Sequence, residues 1–255
     1  MALILETIPC LSDNYSFLLH DEASGATAVV DVPDAAPILA RLESHNWQLD
    51  EIWITHHHND HIGGVNELRK QTGAKVTGAH ADIHRLPNLD RSLDDGDSFE
   101  FAGELVKVMD VPGHTVGHIA FYLPDNGYLF TGDSLMALGC GRLFEGTPEQ
   151  MWTSLNKLAE LPDNVIVGSG HEYTQANARF ALTIDPDNAD LRARFEAIDE
   201  ARKQGKPTVP SNLGEEKRTN PFLRAGTAAV KQAIGKPDVS DIEAFATVRS
   251  LKDSF

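Results

Sequence analysis

Residues 55–61 read Thr55-His56-His57-His58-Asn59-Asp60-His61, an H-x-H-x-D-H signature in which His56, His58, Asp60 and His61 are metal-ligand candidates. It follows directly on a strand-like run, Glu51-Ile52-Trp53-Ile54-Thr55, and runs into Gly63-Gly64. A strand that ends in clustered imidazoles and carboxylates presents a metal at the rim of a sheet, so the fold must be built around that rim. Mixed His/Asp sets suit borderline divalent metals that activate water. A purification tag or polar surface loop is the competing reading, but a tag would lie at a terminus and would lack the Asp and the glycines.

Three further segments repeat one grammar, an apolar strand followed by glycine and a candidate ligand. They are Pro112-Gly113-His114, Gly132-Asp133 and Ser169-Gly170-His171, after strand-like residues 106–111, 128–131 and 165–168. Glycine lets the chain turn sharply and brings backbone close to a bound ion. With His114, Asp133 and His171 the candidates number seven. A catalytic zinc takes three protein ligands plus water, so seven ligands suit two ions, with the two oxygens of Asp133 able to bridge them.

The first two thirds of the chain alternate short strand-like and helix-like segments. Strands are predicted at 3–8, 15–20, 26–32, 50–55, 75–78, 98–101, 105–111, 118–123, 128–131 and 165–168, and helices at 35–45, 65–72 and 148–160. Pro124-Asp125-Asn126-Gly127 reads as a tight hairpin with positive φ supplied by Asn-Gly. Thr147-Pro148-Glu149-Gln150 reads as a helix start with a capping box. After Glu172 the strand pattern stops, and 174–184, 188–204, 228–234 and 239–252 look helical around a polar connection at 205–221. The expectation is an α/β catalytic domain over 1–172 and a small helical domain over 173–255.

Composition narrows the partners. The net charge of −16 argues against a nucleic-acid binder. Residues 1–172 hold 9 basic and 26 acidic side chains, whereas 173–255 hold 13 and 12, so an anionic ligand finds its cations mainly in the second region. No apolar stretch is long enough to span a bilayer, and Met1–Glu6 does not look like a secretory signal, which points to the cytoplasm. Cys10 and Cys140 are far apart and are expected to be reduced thiols.

These motifs resemble the metallo-β-lactamase superfamily and, within it, the glyoxalase II (hydroxyacylglutathione hydrolase) family. The likeness extends through Pro112-Gly113-His114-Thr115-Val116-Gly117-His118, Phe130-Thr131-Gly132-Asp133, Cys140-Gly141-Arg142-Leu143-Phe144-Glu145-Gly146-Thr147 and Gly170-His171-Glu172-Tyr173-Thr174. It continues in Asn220-Pro221-Phe222-Leu223-Arg224 and Arg249-Ser250-Leu251-Lys252-Asp253, so it covers essentially the whole chain. The resemblance implies a four-layer αββα sandwich with a small C-terminal helical domain. It implies one metal on His56, His58, His114 and Asp133, and a second on Asp60, His61, His171 and the shared Asp133. His57 and His118 match the motif without being ligands. The metals implied are two divalent ions, zinc by default, with iron or manganese as alternatives.

The reaction implied is hydrolysis of S-D-lactoylglutathione and related S-2-hydroxyacylglutathiones by a hydroxide at the dinuclear site, the second step of methylglyoxal detoxification. Asp60 would also orient the nucleophile. Arg249 and Lys252, three residues apart on one helix, would bind the glycine carboxylate of glutathione, and Tyr173 would reach the same moiety. Arg142 and Phe144 are also assigned to substrate binding, although the family often has Lys and Tyr there. Arg keeps the charge but replaces a point donor with a planar fork, and Phe144 lacks a hydroxyl. A monomer acting on a small-molecule glutathione thioester, without nucleic acid or membrane as partner, is expected. Rival readings are a β-lactamase, lactonase or ribonuclease on the same scaffold, a persulfide dioxygenase holding one iron, and a non-catalytic metal protein. A signal-less, acidic chain disfavours a periplasmic β-lactamase and a nuclease, and structural zinc sites are closed four-ligand cages.

Overall fold

The computed structural model describes residues 3–255, which divide into two compact units. One comprises the residues up to 110 together with 117–132, the other 111–116 together with 133–255. In the first unit the chain runs β1 (Ile4–Cys10), β2 (Asn14–His20), β3 (Thr27–Val30), α1 (Ala35–His45), β4 (Glu51–Trp53), α2 (Asn59–Ile62), α3 (Val65–Thr72) and β5 (Lys75–Ala79). It continues through β6 (Arg91–Leu93), β7 (Ser98–Phe101), β8 (Glu104–Asp110), β9 (Ile119–Leu123) and β10 (Tyr128–Gly132).

Strands β1 to β6 form one sheet in sequential order, antiparallel from β1 to β3 and parallel from β3 to β6. The change of sense comes where helices begin to intervene, because a parallel neighbour needs a crossover and a hairpin cannot supply one. Helix α1 starts at Asp34, whose carboxylate accepts from the Ala36 amide at 3.0 Å, and buries Ala35, Ile38 and Leu42. These side chains join Val29, Ile52, Ile54, Val65, Leu68 and Val76 in one core between helices and sheet. Strands β7 to β10 form an antiparallel meander. The indole of Trp53 meets the rings of Phe99, Phe101 and Phe121 at 5.2, 5.3 and 5.5 Å, which packs the meander face to face on the first sheet.

In the second unit the elements are β11 (Leu135–Met136), β12 (Gly139–Cys140), α4 (Pro148–Ala159), β13 (Ile166–Ser169), α5 (Thr174–Ile184) and α6 (Ala189–Lys203). They end with β14 (Ser211–Asn212), α7 (Leu213–Thr219), α8 (Ala228–Ala233) and α9 (Asp241–Asp253). The capping box of α4 forms, Thr147 with the Gln150 amide and the Gln150 side chain with the Thr147 amide. The β11–β12 hairpin is held by buried polar groups. Asn220 donates to the carbonyls of Met136 and Gly139, Asn177 donates to Ala137, and Glu216 accepts from the Leu138 amide while paired with Arg194. Every partner in this network is satisfied by another, which is the condition for burying charge.

Two expectations need correction. The polar connection at 205–221 carries β14, antiparallel to β13, and helix α7. Its buried face includes Glu216 and Thr219, so no apolar period announces it. The 124–127 hairpin is a four-residue loop between paired Leu123 and Tyr128, with Gly127 at φ 68° and Asn126 not at positive φ. Among the described residues no helix is long and apolar enough to cross a membrane.

Candidate active site

The parallel strands β3, β4 and β5 are adjacent, so their C-terminal ends share one edge, where ligand sites of open α/β sheets are built. Asp31 follows β3, Thr55 and His56 follow β4, and Asp82 follows β5. Asp31 is held in the left-handed region at φ 56°, which Asp tolerates better than most residues. Its Oδ1 accepts from the Thr55 amide, and its Oδ2 accepts from the Thr55 hydroxyl, each at 2.8 Å. With its proton given to Asp31, the Thr55 oxygen accepts from His56 Nδ1 at 3.0 Å, which places the His56 lone pair on Nε2. His61 Nδ1 donates to the same Asp31 Oδ2 at 2.8 Å, so its lone pair is also on Nε2.

Asp31, His56 and His61 offer donor atoms within 4.8 Å of one another, and all three are buried. Asp31 is nevertheless the partner that orients the rings, since both of its oxygens are taken by hydrogen bonds. His58 turns Nδ1 toward His56 Nε2 at 3.2 Å, an approach of two imidazole nitrogens that a shared cation satisfies. The half-exposed Asp60 is steadied by Asn14, whose amide donates to its carbonyl at 3.0 Å and its carboxylate at 3.1 Å. His57 bonds Asp82 at 3.0 Å, and His118 stacks on His56 with centroids 4.6 Å apart.

In the second unit His114 Nδ1 donates to the Arg142 carbonyl at 2.7 Å, which directs Nε2 to the Asp133 carboxylate at 3.4 Å. His171 Nε2 approaches the same Asp133 oxygen at 3.3 Å. Gly141 is required here, because a Cβ would lie 2.0 Å from the Asp133 carbonyl and 2.8 Å from His114 Nδ1. Tyr173 stacks on His171 at 4.6 Å, and Phe144 meets His114 edge-on at 5.3 Å; both aromatic side chains are largely exposed. Neutral imidazole nitrogens and a carboxylate oxygen converging in this way are a divalent-metal donor set.

The cationic residues lie on α9 and on the loop after β12. Arg249 is buried, with Nη1 donating to the Cys140 carbonyl at 2.9 Å and Nη2 to Asp253 at 3.0 Å, over the ring of Phe222. Lys252 lies over Phe180 and Phe255, each at 5.2 Å, and donates to the Ala176 carbonyl. Its burial, then the charge of Arg249, lower its pKa against the opposing pull of Asp253. Arg142 is exposed and donates through Nε to Asp253 at 3.2 Å. Sequence reasoning missed Asp31, Asn14 and Asp82, none of which carries a motif of its own, and gave no role to Asp253 beyond its place at the end of Arg249-Ser250-Leu251-Lys252-Asp253.

Clustered imidazoles and carboxylates at strand ends mark the candidate site in each unit, and the chain belongs to the metallo-β-lactamase superfamily. Residues 18–171 match the family model described as the metallo-beta-lactamase superfamily. The solved B3 metallo-beta-lactamase BLEG-1 superposes with a TM-score of 0.67 at 22% identity, over 86% of this chain and 99% of that one. Residues 172–255 match the model described as hydroxyacylglutathione hydrolase C-terminus. The chain is 60% identical to a hydroxyacylglutathione hydrolase of Cereibacter sphaeroides and 56% identical to one of Ruegeria pomeroyi, in each case over 100% of both chains. Within the superfamily it therefore belongs to the hydroxyacylglutathione hydrolase family.

Proposed function

We propose that this chain hydrolyses S-D-lactoylglutathione, and related S-2-hydroxyacylglutathiones, to D-lactate or the corresponding 2-hydroxy acid and glutathione. It thereby takes the second step of methylglyoxal detoxification. The observation that carries the reading is the single Asp133 oxygen approached by His114 Nε2 at 3.4 Å and His171 Nε2 at 3.3 Å, a gathering of imidazole and carboxylate donors of the kind that would hold a divalent metal. The full-length likeness to hydroxyacylglutathione hydrolases supports the substrate.

The metal assignment follows the family pattern, His56, His58, His114 and Asp133 for one ion and Asp60, His61, His171 and Asp133 for the other. The ring tautomers set by Thr55, Asp31 and Arg142 fit it, since each leaves a lone pair on Nε2. Two divalent ions held there would supply Lewis acidity and would lower the pKa of water to near neutrality. Zinc is the proposed metal, with iron and manganese the alternatives that metal analysis separates. Asp60, held by Asn14, would accept a hydrogen bond from the attacking water and keep it aligned on the thioester carbon, where the water oxygen forms the new C–O bond and its proton passes to solvent. The C–S bond then breaks and releases glutathione as a thiolate. A thiol with a pKa of about 8.5 leaves without a strong acid, so the site needs no dedicated proton donor.

The proposed division is a catalytic domain over 1–172 and a glutathione-binding domain over 173–255, in line with the ranges of the two family models. Arg142, Arg249 and Lys252 would take the glutathione carboxylates, with Tyr173 and Phe144 beside the peptide. A monomer in the cytoplasm, where glutathione is abundant, with neither nucleic acid nor membrane as partner, completes the proposal. Its test is hydrolysis of S-D-lactoylglutathione followed at the thioester absorbance, with metal content measured on the same sample. Turnover with about two metals per chain is expected. No turnover at full occupancy would overturn the substrate assignment.

A further inference from the structure

Asp253 stands at the end of α9 and has no part in the reading above. One of its oxygens, Oδ1, accepts from Arg249 Nη2 at 3.0 Å and from Arg142 Nε at 3.2 Å. Arg249 is itself anchored, since its Nη1 donates to the Cys140 carbonyl at 2.9 Å and its guanidinium lies 5.0 Å above Phe222. The chain of contacts therefore runs from a buried hairpin carbonyl through a buried arginine to a carboxylate and then to an exposed arginine. Arg142 is the mobile member by nature, a long side chain 57% exposed on an irregular loop. Holding such a side chain in one place costs rotamer entropy, which Asp253 offsets in advance of any ligand.

The identity of residue 142 makes this possible. A guanidinium carries donors on three nitrogens, so Arg142 can give Nε to Asp253 and still present both Nη groups outward. A lysine would have one ammonium to share. Asp253 also cancels one of three positive charges, Arg142, Arg249 and Lys252, and leaves the cluster a surplus suited to an anion.

We propose that Asp253 is a positioning residue for substrate binding, which locks Arg142 beside Arg249 so that Arg142 presents both Nη groups to a carboxylate of the glutathione moiety. This deepens, and rests on, the glutathione-thioester reading.

The test compares two thioesters, S-D-lactoylglutathione and S-D-lactoyl-N-acetylcysteamine, which lacks the glutathione carboxylates, on the metal-loaded enzyme. The readout is the ratio of their kcat/KM values. Asp253→Asn should reduce the wild-type ratio about tenfold, with the change in KM for the glutathione ester rather than in kcat. In an Arg142→Ala background the same substitution should reduce it less than about twofold, because the residue to be positioned is gone. Equal losses in the two backgrounds, equal losses on the two esters, or tighter binding by Asp253→Asn would each overturn the inference while the substrate reading stands. A wild-type enzyme that does not discriminate between the two esters would instead overturn the glutathione reading itself, and the inference with it.

Discussion

His61 Nδ1 lies 2.8 Å from Asp31 Oδ2, and that carboxylate also binds the amide and hydroxyl of Thr55. One buried acid in the left-handed region thus sets the tautomers of two imidazoles, His61 directly and His56 through Thr55. The arrangement matters because a ligating histidine must present a lone pair, and a carboxylate on the far nitrogen both enforces this and raises ligand basicity.

Asp31→Asn isolates that role, since Asn also tolerates positive φ. The amide keeps one acceptor oxygen and turns an NH2 toward groups that themselves donate. Metal affinity should fall about 10- to 100-fold, measured by competition with a chromophoric chelator. Unchanged affinity would mean that the two rings orient without Asp31.

Gly132 closes the same neighbourhood from β10. Its φ is +47°, and a Cβ would lie 2.4 Å from Thr55 Oγ1 and 3.0 Å from His118. Gly132→Ala should cost about 2–3 kcal/mol, read from urea unfolding of the metal-free protein. Gly25→Ala is the control, because Gly25 has φ +76° with nothing near its Cβ, and it should cost about 1 kcal/mol. Equal losses at the two positions would show that close approach to Thr55 contributes nothing.

What is legible in the sequence follows from how local each signal is. His114, Asp133 and His171 are legible because each follows a glycine at the end of an apolar strand, and His56, His58, Asp60 and His61 because they cluster in one run after another such strand, patterns confined to a few residues. Thr147 and Gln150 are legible for the same reason. Asp31, Asn14 and Asp82 are not, because they act on His61, Asp60 and His57 across 30, 46 and 25 residues of chain and have no pattern of their own. Helix α7 escapes a hydrophobicity reading because two of its fully buried side chains, Glu216 and Thr219, are polar and both meet Arg194. The stretch Asn220-Pro221-Phe222-Leu223-Arg224, recognisable only as a resemblance, has a physical account in the structure. Asn220 pins the β11–β12 hairpin, Phe222 lies under Arg249, and Arg224 pairs with Asp185.

Burial pushes the Cys140 thiol up to about 11 despite the nearby Arg249 guanidinium. The folded state therefore holds this proton at pH values where the unfolded chain, at the ordinary value of 9.0, has released it. Stability from this group is fully present below pH 9 and lost as pH rises toward 11, by up to about 2–3 kcal/mol. Unfolding free energies at pH 8 and pH 10.5 should diverge more for the wild type than for Cys140→Ala. The thiol should also resist modification at pH 8 until the chain unfolds. An identical pH dependence in the two proteins would contradict the burial argument.

Lys252 titrates in the opposite sense. Burial against Phe180 and Phe255, and then the charge of Arg249, favour its neutral form, so its pKa lies below the ordinary 10.5. Only the ammonium attracts a carboxylate, so affinity for the glutathione moiety should be present at low pH and lost as pH rises through this lowered value. It should fail before an ordinary lysine would titrate. The KM for S-D-lactoylglutathione, divided by that for S-D-lactoyl-N-acetylcysteamine to remove titrations common to both, should climb severalfold along this alkaline limb. In Lys252→Arg the limb should move to higher pH, because a guanidinium stays charged throughout the range. If the limb stayed where it is in the wild type, another group would control it, and Lys252 would not be the cation that the substrate carboxylate meets.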